Sequence, residues 1–84
     1  MNLIEQVQKI QTRDEFVIFV HHLLQDLHER PEQWKNASLE AYLEAVASWV
    51  QDMDGYYRNR GEKAPKHLTW QHLGEILLAA KIYE

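Results

Sequence analysis

Histidine is the most versatile chemical group in this 84-residue sequence, which carries five of them. Neutral imidazole is a common metal ligand. His21 and His28 stand i, i+7, and His22 and Asp26 stand i, i+4, so each pair would share a helix face. A zinc site takes three or four protein ligands at spacings such as His-Glu-x-x-His. That pattern is missing, so the histidines read as solvated or boundary groups. Asp52, Asp54 and Gly55 resemble the start of a calcium loop. Such a loop needs Gly at its sixth position and Glu at its twelfth, whereas counting from Asp52 puts Gly55 fourth and Lys63 twelfth. Glu40 and Glu44 are spaced i, i+4 like a carboxylate pair, but both fall on a polar helix face where water solvates them. There is no cysteine for nucleophilic or redox chemistry. Ser38 and Ser48 lie outside any Gly-x-Ser-x-Gly elbow, and no P-loop or dinucleotide fingerprint occurs. No catalytic residue, metal site or cofactor is predicted.

The remaining chemistry is that of surfaces. At Asp52 to Tyr57 the apolar stripe continues to Tyr57 with Gly55 on its solvent side, so the helix either runs through or ends with Gly55 as a cap, and an end or a fray at Asp54 to Tyr57 is the favoured reading. Carboxylates there oppose the helix dipole, and departures from local rules concentrate at functional sites. Next comes Arg58 to Leu68, a loop with Gly61 and Pro65. Its Arg58, Arg60, Lys63 and Lys66 face only Glu62, in a chain of net charge −4. With Tyr56, Tyr57 and Trp70 beside it, this loop could stack on single-stranded nucleic acid. The acidic balance of the whole argues against that.

The elements that must position these groups are helical. Thr12-Arg13-Asp14-Glu15 is a capping box. Phe16, Phe19, Val20, Leu23, Leu24 and Leu27 then recur at helical period, with Val17 at the edge of the stripe and Ile18 opposite it. Pro31 ends this helix by disfavouring the helical conformation at Arg30. Ser38 caps a third segment, whose stripe is Leu39, Tyr42, Leu43, Val46, Trp49, Val50 and Met53. Thr69 caps a fourth. Leu73, Ile76, Leu77, Ala80 and Tyr83 share its main face, while Leu78 and Ile82 lie on another side. A helix apolar nearly all round is buried on more than one side or offers its second face to a partner. Leu3, Val7 and Ile10 form a short amphipathic start behind Asn2. The fold predicted is all-α, a small bundle of three main helices (13–30, 38–56 and 69–83) plus a short N-terminal helix, in one domain over 1–84. Phe16, Phe19, Trp34, Tyr42, Trp49, Trp70 and Tyr83 are expected in or near the core. Trp34 would act as a lid, and Asn36 would close an Asx turn.

Trp34-Lys35-Asn36, Asp52-Met53-Asp54-Gly55-Tyr56-Tyr57, Trp70 and Ala79-Ala80-Lys81-Ile82-Tyr83-Glu84 together resemble a family of small bacterial proteins of unknown function. The resemblance spans nearly the whole chain. It implies a compact helical bacterial protein and no particular chemistry.

A domain this short needs most of its large apolar groups for the core, which favours a binding module over an enzyme with its own pocket. The chain begins without the basic start and apolar run of a signal peptide, and its apolar runs are too short to span a membrane. A cytoplasmic location is therefore expected. The leading expectation is a non-enzymatic protein-interaction module that binds another protein or itself. One version is an immunity-like or antitoxin-like protein with an acidic surface for a basic nuclease. The candidate partner surface is Asp52, Asp54, Tyr56, Tyr57, Arg58, Leu78 and Ile82. The alternatives are a metal-binding or small-ligand enzyme using His21, His22 and His28 or the Asp52–Tyr57 turn, and a nucleic-acid regulator using Arg58 to Lys66.

Overall fold

The helix with the smallest share of polar positions is the one the others surround. A computed structural model describes residues 2–63 and 65–84. It contains α1 (Leu3–Val7), α2 (Arg13–Glu29), a 3₁₀ turn (Pro31–Gln33), α3 (Leu39–Asn59) and α4 (Trp70–Ala80), with no strand among the described residues. α4 packs against α1, α2 and α3, whereas α2 and α3 do not pack against each other. Two apolar seams therefore run along α4. On one side Val7, Ile10, Phe19, Leu23 and Trp34 form a buried cluster. On the other, Ala45, Met53 and Tyr57 of α3 are buried along with Ile76 and Ala80 of α4.

Side-chain caps start each of the four α-helices. Asn2, Thr12, Ser38 and Thr69 each accept a hydrogen bond from the third helical amide. Thr12 with Glu15 closes the predicted box, and Thr69 closes a second one with His72 as the reciprocal partner. α1 has only five residues and could not persist alone. It docks at Gly74, where a Cβ would stand 2.8 Å from Ile10 Cδ1 and 3.0 Å from Val7 Cγ2. The missing side chain is what lets α1 come this close.

Three expectations need correction. α3 does not end at Gly55 but continues to Asn59. Gly55 has open space around it, and Tyr57, one turn from Met53, is buried. Burying this tyrosine against α4 keeps the helix going. α4 stops at Ala80 rather than 83. Most visibly, the apolar stripes are only partly used. Val20 and Leu24 of α2 and Leu39, Leu43 and Val50 of α3 remain exposed, with Leu39 at 73%. Each helix has α4 as its main neighbour, and one neighbour covers only part of a wide stripe. Trp70 also stays 38% exposed, with its ring against Phe16.

Candidate functional site

The C-terminal end of α4 shows what the most distinctive sequence patterns do. The last carbonyls of a helix lack helical partners, and here all four are satisfied. The Tyr42 hydroxyl donates to Leu77 O (2.7 Å), and Asn36 Nδ2 donates to Ala80 O (3.0 Å). The amides of Lys81, Ile82 and Tyr83 serve Leu78 and Ala79. Asn36 also gives its backbone amide to Lys81 O and its side chain to Tyr83 O. It thus clamps the chain end onto the α2–α3 connection and does not form the expected Asx turn. Its neighbours strengthen the clasp. Lys35 pairs with Glu84, and Trp34 Nε1 donates to Asp26 at 2.8 Å. Lys81 lies over the Trp34 ring and bonds Asp26 at 2.8 Å. Trp-x-Asn and Ala-Ala-x-x-Tyr-Glu are therefore two halves of one structural lock.

Burial alone would raise the Asp26 carboxyl pKa, but Lys81, Trp34 and Arg30 outweigh it and hold it below its ordinary value. Burial pushes Tyr42 up to about 12, so its hydroxyl keeps donating through the ordinary tyrosine range. Both groups are occupied in closing the fold.

The predicted partner residues scatter over three environments. Tyr57 is in the α3–α4 seam, and its hydroxyl reaches Glu75. Tyr56 packs edge-on to Trp49, which in turn meets Tyr83, and Arg60 covers the Tyr56 ring. Asp52 accepts from the Tyr83 hydroxyl. Leu78 is half-buried and Ile82 is 55% exposed; with Tyr56 they line a wide shallow concavity over α4. Asp54 and Arg58 point to solvent on the outer side of α3. The expected conflict with the helix dipole is absent, because Asp52 and Asp54 lie inside α3 and not at its end. Arg60 pairs with Glu62 rather than with these carboxylates.

The histidines do not converge. His21, His22 and His28 are exposed, with His22 bonded to Gln6. Among the described residues no three of His, Cys, Asp and Glu stand close enough to share an ion. No helix among them is long and apolar enough to cross a membrane.

A larger feature escaped the sequence reading because it is built from residues assigned to the core. On α2 the concavity takes His22, Gln25 and Glu29, and on α4 it takes Gln71, Glu75 and Leu78. The opposite side of the plate carries Val17, Val20 and Leu24 on α2 and Leu39, Leu43 and Val50 on α3. These six apolar side chains are 36–73% exposed. Half-buried Leu73 and Leu77 of α4 lie between the two rows. Contiguous apolar surface beyond a few hundred Å² marks an interaction site. The signal in the sequence was the breadth of the stripe on α3, which reaches from Ala45 and Trp49 round to Leu43 and Val50.

Among known proteins, the model of a family described as "Family of unknown function (DUF7660)" matches residues 12–84. No curated protein and no solved structure matches the chain.

Proposed function

The chain belongs to the DUF7660 family, a family of unknown function, and from that premise we propose that it is a non-enzymatic protein-interaction module that binds through the apolar side of its helical plate. One observation carries this reading: α2 and α3 flank α4 without packing on each other, leaving Val17, Val20, Leu24, Leu39, Leu43 and Val50 in water. Helical domains bury their apolar stripes against a second layer, and nothing among the described residues covers these six side chains. The polar groupings Asp26 with Lys81 and Asp52 with Tyr83 hold the fold together. That use supports a binding role over a chemical one.

Site-specific photo-crosslinking in the cell that makes the protein tests the reading. A photoreactive residue at Leu43 or Leu24 should give a protein adduct of discrete mass. The same residue at Glu29 or Gln71, on the opposite side, should give none. Absence of any adduct at Leu43 and Leu24 would refute the module.

A further inference from the structure

We propose that the occupant of this apolar face is a second copy of the same chain, with α2 of each copy lying over α3 of the other. The proposal rests on the interaction-module reading and adds the identity of the partner.

Charged side chains flank the apolar face on both sides. Arg13, His21 and His28 border the apolar row of α2, and Glu40, Glu44 and Asp54 border that of α3. All six are exposed, and among the described residues none makes an ion pair. Asp14 of α2 and Arg58 of α3 lie on the same two borders, are exposed and are likewise without an ion pair among the described residues. The α2 border therefore carries Arg13, Asp14 and two imidazoles, and the α3 border carries three carboxylates and Arg58. The face is complementary to itself when turned over.

The end of α2 meets Trp34 and Lys81 through Asp26, and Trp34 stacks with Tyr42 near the start of α3. The end of α2 and the start of α3 thus share one end of the plate, and the two helices run antiparallel. A two-fold axis along the helices keeps that end in place while it exchanges left and right. It lays α2 of one copy antiparallel over α3 of the next. Counting from the shared end then brings Leu24 to Leu43, Val17 to Val50, His28 to Glu40 and Arg13 to Asp54. Asp14 comes to the same end of the interface as Arg58. A two-fold axis across the helices would instead set α3 antiparallel on α3, with Glu40 toward Asp54 of the other copy. Like charges disfavour that arrangement. The broad side of the plate, 35 × 27 Å, also has the extent of a standard interface of about 800 Å² per partner.

Sedimentation equilibrium of the purified full chain over a concentration series tests the proposal. The expected result is a mass twice the 10.0 kDa of the chain. Leu43→Glu should return it to the single-chain mass with its helical circular dichroism intact. Leu24→Gln, on the other helix, should do the same and serves if Leu43→Glu fails to fold. Glu40→Lys with Glu44→Lys should weaken association by roughly tenfold, and adding Arg13→Glu and His28→Glu should restore part of it. A single-chain mass up to millimolar concentration would overturn the proposal. So would a dimer indifferent to both Leu43→Glu and Leu24→Gln, or to the charge changes. The crosslinking experiment separates the two readings: adducts at Leu43 only of a mass other than two chains overturn the second copy and leave the module standing, whereas no adduct removes both.

Discussion

Asp26 brings together a helix end, an aromatic lid and the chain terminus, since Arg30, Trp34 Nε1 and Lys81 all donate to it. Its side chain is 12% exposed and that of Lys81 14%, so this pair is not an ordinary surface bridge. The carboxyl pKa is lower in the folded state than in the unfolded chain. The pair's contribution is therefore complete above the unfolded value of about 3.9 and is lost as pH falls through the lower folded one. Asp26→Asn should cost about 2 kcal/mol at pH 7. The difference from the unmodified chain should begin to shrink below about pH 4 and close only as pH falls through the lower folded value, where both are neutral at this position. Urea unfolding at several pH values measures it. A difference of constant size across that range would show that the charge is not what holds Lys81.

At the scale of elements, α3 gives the clearest lesson. A glycine followed by two tyrosines and two arginines reads as a stop. The helix runs through because Tyr57 lies four residues beyond Met53 and both bury against α4. Gly55 contributes nothing to that packing and has open space where a Cβ would go. Gly55→Ala should therefore stabilise the protein by roughly 0.5–1 kcal/mol, through helix propensity and a less disordered unfolded chain. Thermal unfolding would register it, and a lowered midpoint would mean that the helix needs flexibility there. Gly74 is the contrasting case. Its neighbours Ile10 and Val7 occupy the space that a side chain would need.

For the whole molecule, the split between buried and unused apolar groups sets the energetics. Phe19 is fully buried, and Phe19→Ala should cost about 3–5 kcal/mol, a large share of the stability of a small domain. Leu39 is more exposed than any other large apolar residue described, at 73%. In dilute solution, where copies are apart, Leu39→Ala should move stability by no more than about 0.5 kcal/mol. Chemical unfolding of the two variants side by side checks the contrast. A large loss from Leu39→Ala at high dilution would place that leucine in an intramolecular core.

Periodicity, caps and breakers are local, so the chain alone specified four helices, the capping box at Thr12, the caps at Asn2, Ser38 and Thr69, and the stop at Pro31. The same local signals made Trp34 a lid, and it is buried; they placed Ile18 opposite the stripe without deciding its exposure, which is 51%. Periodicity gives the width of an apolar stripe but not how many neighbours will cover it. Only the packing decided that α4 would stand between α2 and α3 and keep them apart. Leu39, Leu43 and Val50 thereby became surface, and Asp52 became a partner of Tyr83. The use of Asn36 as a cap for α4 was equally out of reach, because its acceptors at Ala80 and Tyr83 are distant in sequence. Contacts between distant segments depend on how helices cross, and the spacing of residues along one helix carries no record of that crossing.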